Sequence, residues 1–247
     1  MTETTHFGYR TVSSEQKTAL VHTVFESVAD RYDLMNDLMS LGWHRLWKKY
    51  FMMRVNARPG QQWLDVATGT GDIALALAKQ VGKTGCVFLT DINRAMLTQA
   101  IDRVIDAGYF GCAQAIEADA EALPFPDHTF DGITIAFRLR NVTNHLAALR
   151  AMYRVLKAGG RLLILEFSQP SLPILKKLYD AYSFHVIPRL GEWVLKDRHS
   201  YEYLVESIRM HPDSETLQHR MEEVGYETVD YTHLSQGIVA LHQGWKY

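Results

Sequence analysis

The stretch that decides the fold is Asp65-Val66-Ala67-Thr68-Gly69-Thr70-Gly71-Asp72. It joins a short apolar run, 62–67, to an alanine- and leucine-rich run from Asp72 to Ala78. The first run reads as a strand and the second as the start of a helix. Gly69 and Gly71 let the backbone turn sharply and pass close to a ligand. In an open α/β sheet, ligands bind beyond the carboxyl ends of the strands, near the topological switch point. Asp65, Gly69, Thr70 and Gly71 are therefore candidate ligand-binding residues, Thr70 through its backbone and its hydroxyl.

Outward from this loop, strand and helix alternate. Strands are expected at Cys86–Thr90, Gln114–Ala118, Phe130–Phe137 and Arg161–Phe167. Helices are expected from Asn93 to Ala107 and from Thr143 to Lys157, the second capped by Gly159-Gly160. Such alternation predicts βαβ units and a Rossmann-like, mostly parallel sheet. A last helix, Asp213 to Val224, has an aspartate N-cap and Gly225 at its end. Two closing strands, Tyr226–Leu234 and Gly237–His242, are separated by Ser235-Gln236 and should form an antiparallel hairpin at a sheet edge.

The flanks read as helix. Ser13 and Gln16 fit a capping box, followed by a stripe at Leu20, Val21, Val24, Phe25 and Val28. A second helix covers Trp43 to Val55, and an aromatic-rich helical stretch runs from Pro170 to Arg209. The expected organisation is one domain over residues 1–247. It divides into a helical cap (1–56), an α/β core (57–168), a helical insertion (169–210) and a last helix with hairpin (211–247).

Two further carboxylates fall in phase with the glycine loop. Asp91 lies 20 residues after Gly71 and ends the second strand, where a carboxylate can accept both hydroxyls of a ribose. Asp119 follows the third strand and suits an exocyclic adenine amine. Dinucleotide sites want G-x-G-x-x-G with helix amides facing a pyrophosphate. Here no third glycine follows, and Asp72 stands where that anion would sit. A cationic nucleoside without phosphates, S-adenosylmethionine (SAM), fits this arrangement better than NAD or ATP.

The composition narrows the partners. Of the 247 residues, 26 are Lys or Arg and 28 are Asp or Glu, a formal net charge of −2. That balance lacks the basic excess of a generic nucleic-acid binder. No apolar run approaches the roughly 18 residues of a membrane span. Met1 to His6 shows no basic-then-apolar leader, and Cys86 and Cys112 are the two cysteines. A cytoplasmic, reducing location with free thiols is the expectation. The histidines are scattered with no i, i+4 pair beside a carboxylate, so no metal site is expected. Nucleophile-elbow and phosphate-loop motifs are likewise missing.

Five ordered blocks carry a closer likeness. They are Tyr32 to Ser40 with His44 and Trp47; Leu139-Arg140-Asn141-Val142-Thr143; Arg154 to Ser168; Tyr179 to His185; and Glu206 to Pro212. With these the chain resembles the class I SAM-dependent methyltransferases, and within them the ubiquinone/menaquinone biosynthesis C-methyltransferase family, over nearly its whole length. The resemblance implies methylation of a ring carbon on a polyprenylated benzoquinol, a demethylmenaquinol or both. It also implies SAM contacts at Thr70, Asp91, Asp119 and Ala120. Four positions depart from the family's pattern. Ala136 stands where a cofactor-binding serine is usual, Thr68 and Arg138 replace glycines, and Ala158 replaces a proline. Arg138 either crowds the site or points to solvent.

The chemistry asks for help at the acceptor. An aromatic carbon is a poor nucleophile unless a neighbouring phenol, pKa about 10, loses its proton. Arg140, after the fourth strand, either stabilises a phenolate or pairs with a nearby acid. Asn141 either bonds a quinol oxygen or caps the next helix. Tyr182 and His185 either line the acceptor pocket or are structural, and His44 and His211 carry the same ambiguity. Tyr32 and Asp33 form either a lid over the cofactor or a helix joint. A polyprenyl tail needs a membrane or a partner to deliver it. The stretch 172–179 reads either as an interfacial helix at the inner membrane face or as a buried cover. A homodimer or a quinone-biosynthesis complex are further partners. The competing functions are a methyltransferase of another lipid or small phenol, and an inactive SAM-binding subunit. The aromatic and methionine excess of the flanks suits a flat, apolar acceptor.

Overall fold

The computed structural model describes residues 4–28, 37, 40–170, 189 and 198–247. Tyr32 and Asp33, the stretch 172–179, Tyr182 and His185 lie outside the described residues. So does most of the helix expected from Pro170.

At the centre is a seven-stranded sheet. Its strands are β3 (Gln62–Val66), β4 (Cys86–Asp91), β5 (Ala113–Glu117), β6 (Phe130–Ala136), β7 (Leu156–Phe167), β8 (Glu227–Leu234) and β9 (Val239–Trp245). They lie in the order β5-β4-β3-β6-β7-β9-β8. The first five run parallel, and β9 and β8 pair antiparallel. This is the expected mostly parallel sheet with its closing hairpin at the edge. Chain order reverses at β3, with β4 on one side and β6 on the other, which makes a crevice at those strand ends.

Alternation along each strand sorts side chains to the two faces. Trp63, Val87, Leu89, Leu163 and Leu165 join one apolar layer, and Leu64, Val66, Ile133, Ile135, Leu162 and Ile164 join the other. The first layer is covered by α2 (Trp43–Val55), α3 (Asp72–Val81), α4 (Arg94–Asp106) and α6 (Arg198–Met210). The second is covered by α5 (His145–Val155) and α7 (Ser214–Val224). Burying one such aliphatic side chain is worth about 1.5–3 kcal/mol, so both layers hold the sheet rigid beneath its strand ends.

Helix starts follow local chemistry. Ser13 and Gln16 exchange bonds of 3.1 and 3.2 Å at the head of α1 (Ser14–Val28), a complete capping box. Asn93 caps α4 and Asp213 caps α7, each accepting a backbone N–H three residues on. Each such cap contributes about 1 kcal/mol.

Three local expectations fail. The N-terminal flank is not all helix, because β1 (Thr4–Phe7) and β2 (Arg10–Ser13) form an antiparallel hairpin. Phe7 stacks on Tyr203 with ring centroids 4.1 Å apart, which pins the hairpin to α6. Gly159-Gly160 does not cap α5. The helix ends at Val155, and Leu156 is already extended and paired with Phe130. The sheet register thus claims the chain before the glycines are reached. Asn141 does not cap α5 either, since Asn144 accepts the Ala147 N–H at 3.0 Å and the helix starts at His145.

Candidate active site at the strand ends

The loop after β3 is fixed from below. Asp65 is buried, and its carboxylate accepts Thr68 Oγ1–H at 2.6 Å and Thr134 Oγ1–H at 2.7 Å. Burial pushes its pKa up to about 6, with those two hydroxyls opposing the shift. Asp65 therefore braces the loop and does not line the cavity beyond it. The backbone then turns through left-handed conformations at Ala67, Gly69 and Gly71. A Cβ on Gly71 would lie 2.9 Å from the Ala100 Cα, so the start of α3 can sit against α4 only as glycine. Thr70 accepts a bond from Arg103 through its carbonyl at 3.3 Å.

Asp91 ties two strand ends together. One carboxylate oxygen accepts the Gly69 N–H at 2.8 Å and the other the Asn93 N–H at 2.9 Å. Asp91 also lines the cavity, and each of its oxygens keeps a second lone pair. Asp119, exposed beyond β5, accepts the Glu121 N–H at 2.9 Å. The cavity is lined by Asp91, Asn93, Met96, Asp119, Ala120 and Arg138, among others, with Asn141 at its β6 side and Thr18 and Val21 of α1 facing it. Ala136 packs on the core instead of lining this space.

Two of the expectations change here. Asp72 is not a bare anion: Lys48 and Arg103 both pair with it at 2.7 Å. Burial opposes its ionisation, but these cations hold its pKa below the usual carboxylate range. Repulsion from Asp72 consequently does not decide between a phosphate and a sulfonium ligand. Arg138 does not point to solvent. It is buried, its Nη2 lies 3.3 Å from Met96 Sδ, and a Cβ on Gly69 would collide with its guanidinium.

Arg140 and Asn141 sit in one short turn, Leu139–Asn141, after β6. Arg140 is an ion-pair residue: its Nη1 meets Glu166 Oε1 at 2.9 Å, and the same nitrogen donates to the Phe137 carbonyl. The side chains of both partners are almost fully buried, 2% and 1% exposed. Glu166 also accepts the Arg140 and Phe167 N–H groups. Asn141 Oδ1 accepts the Tyr203 hydroxyl at 3.0 Å, which orients the amide. Among the described residues, Arg140 Nε and Asn141 Nδ2 are buried donors with no partner.

Behind this turn lies a polar cavity of about 570 Å³, lined by Lys17, Arg140, His145, Tyr203, His211 and Arg220, among others. Burial drives the His145 pKa down to about 3, helped by Lys17 and Arg220, and drives His211 well down. Both rings are therefore neutral, 5.4 Å apart between centroids. His44 is elsewhere, bonded to Ser40 Oγ at 2.9 Å.

Glu166 and Tyr203 were missed as site residues. A lone acid inside the apolar run 162–167 was the available signal for Glu166, since a buried charge must find a partner. Tyr203 gave none.

The model of the ubiE/COQ5 methyltransferase family matches residues 10–246. The ubiquinone/menaquinone biosynthesis C-methyltransferase UbiE of Escherichia fergusonii is 56% identical over 245 residues, covering 99% of this chain and 98% of that protein. The fold is shared with a SAM-dependent methyltransferase of Thermotoga maritima (TM-score 0.61, 21% identity, 91% of this chain and 99% of that one). It is shared equally with one of Aquifex aeolicus (TM-score 0.60, 19% identity, 81% and 89%). The chain belongs to the ubiE/COQ5 methyltransferase family.

Proposed function

We propose that this chain transfers a methyl group from SAM to a ring carbon of a polyprenylated quinol, a benzoquinol, a demethylmenaquinol or both. The family and the 56% identity to UbiE support the reaction class. The observation that carries the acceptor side is the pair of partnerless buried donors on one turn, Asn141 Nδ2 of the strand-end cavity's lining and Arg140 Nε of the lining of the cavity behind it.

The residues fit SAM. Asp91 offers lone pairs to ribose hydroxyls and Asp119 suits an adenine amine, and both line the cavity. Ala120 gives an apolar wall beside them. Bound there, SAM supplies a methyl on a sulfonium whose leaving group is a neutral thioether. The protein's task lies on the other reactant. Arg140 and Asn141 donate to the quinol oxygen and favour its phenolate form, the phenol proton passing to water, which raises electron density on the neighbouring ring carbon; once that carbon has taken the methyl, its own hydrogen leaves as a proton to water and the ring regains aromaticity. Glu166 fixes the guanidinium in place, and Tyr203 fixes the amide. Glu166 also cancels most of the Arg140 charge, so the donors act by hydrogen bonding more than by net charge. Because phenolate and sulfonium charges vanish together toward the transition state, a buried, water-poor turn favours the step.

The acceptor's tail places the encounter at a membrane surface. No helix among the described residues is long and apolar enough to cross a membrane. The helix α2 instead shows two apolar faces. Trp47, Phe51 and Val55 face the core, while Trp43, Leu46 and Met53 are 53%, 57% and 68% exposed. At 100° per residue the exposed three fall within about 80° of one another. Lys49 and Arg54 flank them, and α2 contains no acid. An apolar stripe edged by cations suits an anionic lipid surface.

The test is to incubate the protein with methyl-labelled SAM and a short-chain demethylated quinol. Label on the ring carbon is expected. SAM binding without transfer to either quinol class would instead make the chain a SAM-binding subunit.

A further inference from the structure

The order of the strands lays out the cofactor. Asp119 follows β5, Asp91 ends β4, the glycine turn follows β3, and Arg138 follows β6. These four strands are consecutive neighbours in the sheet, β5-β4-β3-β6. A nucleoside with its base at Asp119 and its ribose at Asp91 must extend its remaining arm past Gly69 toward β6. That arm ends beside Arg138.

Arg138 is the one cationic side chain among the described residues lining this cavity. Its guanidinium is seated against Gly69, and it is 6% exposed. The other charged lining residues, Asp91, Asp119 and Glu121, are acids. An amino-acid arm carries one carboxylate, and among the described lining residues Arg138 alone complements it in charge. The planar guanidinium matches a carboxylate with two parallel N–H bonds.

We infer that Arg138 binds the amino-acid carboxylate of SAM, turning off the Gly69 backbone to do so. This inference rests on the SAM reading above. It explains how a cation is tolerated beside a sulfonium: the carboxylate lies between them and cancels its field.

The experiment deletes the carboxylate from the ligand and the guanidinium from the protein. Binding of S-adenosylhomocysteine and of 5′-methylthioadenosine, which lacks the amino-acid arm, is measured by titration calorimetry on the full chain. Wild type, Arg138→Gly and Arg138→Gln are compared, the last keeping most of the bulk. Both variants should bind S-adenosylhomocysteine about 10- to 100-fold more weakly, while 5′-methylthioadenosine changes by less than about threefold. The gap between ligands should shrink as salt is raised. Equal changes for both ligands, no change, or tighter binding of both by the glycine variant overturns the assignment, the last marking Arg138 as a plug. A wild-type chain that binds neither ligand overturns the SAM reading and this inference with it.

Discussion

The Gly69 N–H donates to Asp91 Oδ2 at 2.8 Å, across the 22 residues that separate the two. This bond couples the shape of the glycine turn to the carboxylate proposed for the ribose. Neither can shift alone. Asp91 also accepts the Asn93 N–H, and the carboxylate is buried, 5% exposed. Asp91→Ala leaves two buried N–H groups unpaired. A stability loss of about 2–6 kcal/mol is expected in urea unfolding, at roughly 1–3 per orphaned group. S-Adenosylhomocysteine affinity should fall at least about 100-fold by the combined loss of contacts and loop shape. Unchanged affinity in a folded variant removes Asp91 from the cofactor site.

The Arg140–Glu166 pair separates stability from chemistry. Removing one member strands a buried charge, which costs about 3–5 kcal/mol, whereas replacing both by apolar residues is close to neutral. Glu166→Ala and Arg140→Met should each lower stability by that amount, and the double variant Arg140→Met/Glu166→Leu should recover most of it. Turnover should stay at least about 100-fold down in the double variant, because the donor at Nε is gone. S-Adenosylhomocysteine binding, read in parallel, should hold within a few-fold. Recovered turnover in the double variant removes Arg140 from the reaction.

The fold was legible where side-chain period and burial coincide. The strands β3, β4, β6 and β7 alternate or run apolar because both faces of the sheet are covered. Caps at Ser13 and Asp213 were readable because their bonds span three residues. The β1–β2 hairpin was not, since four-residue polar strands carry no periodic signal and are held by a distant ring, Tyr203. At the site, Asp91 and Asp119 could be placed by counting strand ends. Arg140 could not be assigned, because its partner is 26 residues away and meets it only through the parallel β6–β7 register. The Asp72 charge was misread for the same reason: Lys48 comes from α2, a separate helix.

Buried titratable groups set a pH profile. Burial raises the Asp65 pKa to about 6 from the usual value near 4. Its share of stability is complete below about pH 4 and lost as pH rises through about 6. Burial lowers His145 to about 3 and His242 to about 4, and His211 well below its usual range. Their share is present above about pH 6.5 and lost as pH falls, because only the unfolded chain takes up those protons. Three histidines outweigh one aspartate. Urea unfolding should therefore show a net loss of roughly 2–5 kcal/mol from pH 6.5 to pH 5. Asp65→Asn should steepen that loss and His242→Gln should flatten it. A flat profile for wild type contradicts the burial of these rings.

The exposed stripe on α2 gives the last expectation. Trp43, Leu46 and Met53 are exposed and are not among the strand-end cavity's lining residues, so changing them tests membrane contact without touching the proposed chemistry. Each apolar side chain moved from water into an interface contributes on the order of 1–2 kcal/mol. Flanking cations add about 1 kcal/mol each near an anionic surface. Leu46→Glu/Met53→Glu should therefore cut co-sedimentation with vesicles containing anionic lipid at least tenfold. Lys49→Gln/Arg54→Gln should cut it less, and its effect should disappear with neutral vesicles or at high salt. Turnover of a short-chain, water-soluble quinol should be unchanged in all variants, whereas turnover of a long-chain quinol presented in vesicles should fall with binding. Equal vesicle binding by wild type and Leu46→Glu/Met53→Glu excludes this stripe as the lipid contact.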